Sequence, residues 1–99
     1  MTFEQYLSAI EAKHRERVGA KFCYVATAHQ SVSGLYQLSI AEANEFGHFP
    51  LSEDYGALDT ELHMRQQATE LNRTRLNLID KEAAMIVASS MQGSRELRK

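Results

Sequence analysis

The pattern of apolar positions is most regular in the last third of the chain, from residue 57 to residue 91, which contains neither glycine nor proline. Apolar residues recur there at helical steps of three, four and seven. They form two lines on adjoining sides of a helix, one of Met64, Leu71, Leu78 and Met85 and the other of Leu58, Leu62, Leu76, Ile79, Ala83 and Ile86. This pattern predicts one long helix, or two helices broken near Asp80.

An unbroken helix over this segment would be too long for a compact chain of this size. At a rise of about 1.5 Å per residue it would measure roughly 50 Å, whereas the radius of gyration of such a domain is about 13 Å. We therefore expect the helix to be covered by a second copy of the chain, in a homodimer. The side chains predicted to carry this self-association are Met64, Leu71, Leu76, Leu78, Ile79, Ala83, Met85 and Ile86. A break near Asp80, giving an antiparallel helix pair, is the alternative.

The first part of the chain predicts a helix followed by a β-hairpin. Residues 2–18 have an amphipathic pattern, with Thr2 and Gln5 in capping-box spacing and Gly19 as a helix stop. Residues 21–28 are rich in aromatic and β-branched side chains and alternate as a strand does. A polar turn and residues 35–38 then complete the hairpin, to which a second subunit could add strands.

The central part predicts a short helix and a connector. Ser39 and Glu42 repeat the capping-box spacing, which predicts a helix from Ile40 to Phe46. A connector holding the single proline follows, and Ser52 or Asp54 would cap the long helical segment. The predicted architecture is a single α+β domain over residues 1–92, with a polar, flexible tail at residues 93–99.

Composition limits the class of protein. The 99 residues suffice for one domain, and a hydrophobic content of 43% is that of a globular protein. The single cysteine excludes an internal disulfide and indicates a reducing compartment, from which we expect a cytoplasmic protein. The apolar runs are far shorter than the roughly 20 residues that cross a bilayer, so no membrane association is predicted. The net charge of −2 gives no general attraction for nucleic acid.

Charge is distributed unevenly along the chain. The window from Phe22 to Met64 contains six acidic residues and no Lys or Arg, so it carries −6 and the remainder of the chain +4. Opposite charges could meet within the fold or between subunits. Alternatively, an acidic surface could bind a protein with a basic surface. The residues predicted to form that surface are Glu53, Asp54, Asp59 and Glu61.

Candidate chemistry is sparse. Cys23 lies within a predicted strand between aromatic residues, which favours a buried structural thiol over a nucleophile. The four histidines do not share a metal-ligand spacing, and neither paired carboxylates in a pocket nor a glycine-rich phosphate loop is indicated. We predict no catalytic residue, no metal and no cofactor.

Two other functions stay open. Arg65, Arg73 and Arg75 form a modestly basic segment that, together with the basic tail, could bind DNA or RNA in a regulator, although acidic residues interrupt the segment. A pocket between hairpin and helices, near Tyr24, Tyr36 and His29, would instead suit a ligand-binding or enzymatic domain.

The first hypothesis is a non-enzymatic, self-associating protein-interaction module of the adaptor or inhibitor type. An accessory protein of a mobile element would fit this hypothesis. A two-fold dimer is the assembly we expect.

Overall fold

The computed structural model describes residues 1–19, 21–44, 47–51 and 55–96. The elements in chain order are helix α1 (Phe3–Val18), strands β1 (Phe22–Ala28), β2 (Tyr36–Glu42) and β3 (His48–Pro50), and helices α2 (Glu61–Thr74) and α3 (Asp80–Glu96). The strands form one antiparallel sheet in the order β1-β2-β3. The predicted α+β class is confirmed.

Helix α1 begins and ends where local signals placed its ends. The Thr2 side chain accepts a hydrogen bond from the Gln5 backbone N–H, and the Gln5 side chain accepts one from the Thr2 N–H. Gly19 ends the helix at a φ of 73°, a left-handed conformation that glycine adopts without a steric penalty. The predicted N-terminal helix is therefore confirmed.

The hairpin is confirmed, but the short helix predicted from Ile40 to Phe46 is wrong where the structure describes it. Strand β2 continues to Glu42, with Ile40 opposite Tyr24. The Ser39 hydroxyl lies 2.6 Å from the Thr27 hydroxyl of β1 instead of capping a helix. Ile40 is fully buried between its neighbouring strands, and burial of this kind outweighs a local capping signal. The predicted connector contributes strand β3.

The last third forms two helices, so the prediction of one continuous or merely kinked helix is wrong and the alternative of a break near Asp80 is correct. Residues 75–79 separate α2 from α3. Asn77 has a φ of 55°, which interrupts a right-handed helix, and the Leu78 N–H donates to the Asn72 carbonyl across the break. Thr60 caps α2.

Two further predictions concern the ends of this segment. The caps proposed at Ser52 and Asp54 lie outside the described residues. Helix α3 continues to Glu96, beyond the predicted start of the tail at residue 93, and residues 97–99 lie outside the described part.

The sheet lies between helices on both faces. Alternate residues of β1 and β2, among them Tyr24 and Ile40, pack with Leu7 of α1 and Met64 of α2. The intervening residues, Cys23 and Ala41, pack with Ile86 of α3 in a second, smaller cluster. Helices α2 and α3 are therefore on opposite faces and do not form the antiparallel pair. No described helix has both the length and the apolar character needed to cross a membrane.

Candidate functional site

A buried carboxylate joins α1, β1 and the end of α2. Glu11 accepts hydrogen bonds from the Tyr24 hydroxyl at 2.8 Å, from Arg75 Nε at 3.0 Å and from Arg75 Nη2 at 2.9 Å. The bonds to Glu11 raise the pKa of Arg75, and burial followed by the bond to Glu11 raises that of Tyr24. Arg75 is thus partly buried and paired with Glu11, whereas a nucleic-acid contact would need an exposed arginine with an unpaired charge.

A second buried carboxylate joins α1 to the end of β2. Glu42 contacts His14 Nδ1 through one oxygen, and its other oxygen lies 3.1 Å from Arg17 Nε. The His14 ring packs beside the rings of Phe22 and Phe49. One acid of the central window therefore lies in the interior, where it is paired with basic groups from α1.

Of the predicted acidic surface, Asp59 and Glu61 are described, whereas Glu53 and Asp54 lie outside the described residues. Asp59 accepts a hydrogen bond from the Thr60 N–H at 2.7 Å, and this bond is the main cause that lowers the pKa of Asp59. The hydrogen bond between Glu61 and the Tyr36 hydroxyl raises the pKa of Tyr36. Both acids are at the start of α2, where a negative charge is favoured by the helix dipole.

The other two arginines proposed for nucleic acid also have acidic neighbours. Arg65 Nη2 lies 3.7 Å from Glu61, one turn earlier on α2. Arg73 Nη2 lies 2.7 Å from Asp80, at the start of α3. Both arginines are exposed, but their charges are locally balanced.

The side chains predicted to mediate self-association divide into core and surface groups. Met64 is 1% exposed and Ile86 is 8% exposed, both inside the single chain. Four others, Leu71, Leu76, Leu78 and Ala83, are partly buried against the same core clusters. Ile79 at 60% and Met85 at 64% are exposed, so these two are the members of the set that a second copy could cover most fully.

The candidate chemical groups are dispersed. Cys23 is fully buried, its thiol lies 3.6 Å from the Ala83 carbonyl, and burial raises the pKa of Cys23 to about 12. Tyr24 belongs to the core, Tyr36 bonds Glu61, and His29 Nδ1 accepts backbone N–H bonds in the hairpin turn. In the part of the chain that the structure describes, no group of three His, Cys, Asp or Glu residues could hold a metal ion.

The outer edge of β1 is the most distinctive open surface. The Lys21 carbonyl accepts from Ala43, and the His29 N–H donates to Leu35. Together with the strand register, these bonds show that the odd-numbered residues of β1 exchange their backbone hydrogen bonds with β2. The backbone groups of the even-numbered residues therefore point away from β2, toward a side on which no described strand pairs.

Asn72 of α2 closes one position on this edge. Its Oδ1 accepts from the Tyr24 N–H at 2.7 Å, and its Nδ2 donates to the Tyr24 carbonyl at 3.0 Å. The side-chain amide thus replaces the hydrogen bonds that a neighbouring strand would make at Tyr24. Toward the hairpin turn, Ala26 and Ala28 follow with outward-facing backbone groups.

The edge is the floor of a groove of about 510 Å³ between α2 and α3, which we call the edge groove. Its lining is Tyr24, Val25 and Ala26 from β1, Arg65, Ala68, Thr69 and Asn72 from α2, and Asp80, Ala83, Ala84, Val87 and Ala88 from α3. Most of the walls are small side chains, which allow another backbone to come close to β1.

The sequence contained one signal for this arrangement. Met64, Ala68 and Asn72 recur every four residues, which places the Asn72 amide on the buried face of α2. This role was not predicted, because Asn72 directly precedes Arg73 in a polar stretch of the sequence. A lone amide on an apolar helix face indicates a buried backbone partner.

Comparisons of the chain with known protein families, with curated proteins and with solved structures found no match.

Proposed function

We propose that the protein is a small non-enzymatic interaction module that acts in a self-associated form, with the outer edge of β1 as its association surface. The observation that supports this most is the edge strand with outward-facing backbone groups on the floor of the edge groove. Exposed strand edges readily pair with other chains, and natural proteins usually cover them. Addition of a strand to such an edge is a common form of protein recognition.

The ionisable groups in the interior favour binding over catalysis. Glu11 and Glu42 are each paired with basic side chains that join separate elements of the fold. Catalytic carboxylates need access to a pocket, whereas these two are buried. The buried Cys23, with its raised pKa, lacks the exposed thiolate that a nucleophile requires.

A protein with a basic surface remains the partner we propose beyond self-association. Asp59 and Glu61 present carboxylates at the start of α2, with about half of each side chain exposed. Replacing Glu53, Asp54, Asp59 and Glu61 together by Gln should weaken binding of that partner without unfolding the protein. Unchanged affinity would contradict this part of the proposal.

Nucleic acid is the weaker alternative. Arg75 is bound to Glu11 inside the fold, and Arg65 and Arg73 each face an acid. A DNA- or RNA-binding surface would need these charges free to release counterions from phosphates.

The first experiment is absolute mass by light scattering over a wide concentration range. We expect a mass of twice 11.2 kDa at high concentration, falling toward 11.2 kDa on dilution. A mass of 11.2 kDa at every concentration would refute self-association.

A further inference from the structure

We infer that the outer edge of β1, beside the edge groove, pairs with the same edge of a second copy, and that Asn72 fixes the register of the pair, with Ala26 of one copy opposite Ala28 of the other. This inference rests on the proposed function and names the partner and the geometry of association.

The register follows from which backbone groups remain open. The even-numbered residues of β1 face outward, and Asn72 already bonds both backbone groups of Tyr24. A strand that pairs between Tyr24 and the hairpin turn must therefore use Ala26 and Ala28. When a two-fold axis perpendicular to the strands relates two identical edges, the two strands run in opposite directions. They therefore pair antiparallel.

A single antiparallel register uses both residues on both copies. Placing Ala26 opposite Ala28 lets each residue exchange both of its backbone hydrogen bonds with the other copy. A shift that puts Ala26 opposite Ala26 would bring Ala28 against Tyr24, whose backbone groups are occupied by Asn72. The accepted register places Thr27 of the two copies opposite each other on the axis.

The charges of the groove favour an identical partner over a charged peptide. Its rims carry Arg65 and Asp80, and each already has an oppositely charged neighbour within the chain, Glu61 and Arg73 respectively. A strongly basic or acidic segment would gain little attraction from these rims, because their charges are already paired. A second copy, whose charges are paired in the same way, is not repelled.

Exposed apolar surface lies near the Ala28 end of β1, which the pairing would cover. The Glu61 carboxylate bonds Tyr36, and Tyr36 pairs with Ala28. The start of α2 is therefore near the Ala28 end of β1, and Leu62 there is 64% exposed. The two-fold pairing brings this end of one copy to the edge groove of the other, where Leu62 would lose water contact.

The pairing closes at two copies. The outer side of β2 is already bonded, by Asp59 to Tyr36, by Leu51 to Leu38 and by strand β3. Strand β3 is three residues long and includes Pro50, which has no backbone N–H to donate. Among the strands that the structure describes, β1 thus offers the usable edge on each copy, and its pairing gives a dimer with a continuous sheet.

Cysteine cross-linking tests the register directly. Opposite residues at a non-hydrogen-bonded position have Cα atoms about 4.5 Å apart, within disulfide range. Oxidation of Thr27→Cys should therefore convert most of the protein to a covalent dimer. The matched control is Val25→Cys, whose side chain is on the same face of β1. In this register the position-25 side chains of the two copies are offset by four residues along the paired strands, which is beyond the Cα–Cα range of about 7 Å for a disulfide. Wild type serves as the second control, because Cys23 is fully buried.

A second variant weakens the interface without touching the hairpin. Ala26→Pro removes an outward N–H, while the β1–β2 hydrogen bonds come from odd-numbered residues. We expect the dimer dissociation constant to rise about tenfold or more, since both copies lose a backbone hydrogen bond. Thr27→Pro, which removes a donor to β2, should instead reduce the helix and strand signal in circular dichroism.

The outcomes separate the two proposals. A covalent Thr27→Cys dimer together with weakened association of Ala26→Pro supports the register. If wild type is dimeric but Thr27→Cys does not cross-link and Ala26→Pro associates normally, the register and the assignment of the β1 edge as the association surface are both overturned, whereas self-association itself stands on another surface. Preferential cross-linking of Val25→Cys would also overturn it, whereas a monomeric wild type overturns both proposals.

Discussion

Replacing Arg75 by alanine should destabilise the protein far more than replacing Arg73, although both arginines lie at the end of the same helix. Arg75 is 21% exposed and its partner Glu11 is 5% exposed. After Arg75→Ala, the Glu11 carboxylate stays buried with the Tyr24 hydroxyl as its remaining donor among the hydrogen bonds described. An ionised group in that position has lost both water and its counter-charge.

The expected magnitude follows from this geometry. Removing one partner of a buried ion pair costs about 3–5 kcal/mol, a large part of the roughly 5–15 kcal/mol that stabilises a typical domain. With a urea dependence of about 1–3 kcal/mol per molar, the unfolding midpoint should fall by about 1–5 M. Arg73 and Asp80 form an ion pair whose side chains are 59% and 64% exposed, so Arg73→Ala should cost about 0–1 kcal/mol.

Equilibrium urea unfolding followed by circular dichroism measures both variants at one protein concentration. A double variant, Glu11→Leu with Arg75→Leu, removes both charges and should recover part of the loss. If Arg75→Ala unfolds within the shift seen for Arg73→Ala, the inferred role of Arg75 inside the fold is wrong and its availability for nucleic acid is restored.

Three further predictions test other parts of the structure. Ile79→Asp should leave the monomer folded because Ile79 is 60% exposed, whereas Ile86→Asp, at an 8% exposed position, should unfold it, as circular dichroism will reveal. Burial lowers the pKa of His48 below its ordinary 6.5. The unfolded chain therefore takes up the proton first, and the urea midpoint should fall as the pH drops below about 6.5. His48→Leu should flatten that part of the pH profile, and an unchanged profile would contradict the role given to His48. The thiol of Cys23, with its pKa raised to about 12, should resist labelling in native protein at pH 8 and react in urea; rapid native labelling would contradict its burial.

The sequence predicted best those elements whose signals are local. The Thr2 and Gln5 capping box and Gly19 fixed both ends of α1, because each acts through backbone groups within one turn. The alternation over residues 21–28 likewise predicted strand β1, whose two sides pack against α1 and α2 and against α3. Local chemistry was sufficient at these positions.

The same local signal failed at Ser39 and Glu42. Their spacing is that of a capping box, but Glu42 instead meets His14 and Arg17, which are 28 and 25 positions earlier in the chain. No window of sequence contains that pairing. The edge groove was hidden for the same reason, since it requires Asn72 to meet the backbone of Tyr24. The predicted self-association stays a prediction. The surface proposed for it is now the edge of β1, in place of the apolar side chains between residues 57 and 91.

The unequal size of the two core clusters has a consequence for motion within the folded state. Helix α3 is held on its face of the sheet by a small set of fully buried side chains around Cys23, Ala41 and Ile86, whereas the larger cluster secures α1 and α2 on the other. Detaching α3 should therefore need less free energy than global unfolding, and it should form the first cooperative unit to open. Because α3 also forms one wall of the edge groove, amide hydrogens of this helix should exchange more slowly at protein concentrations where the chain associates.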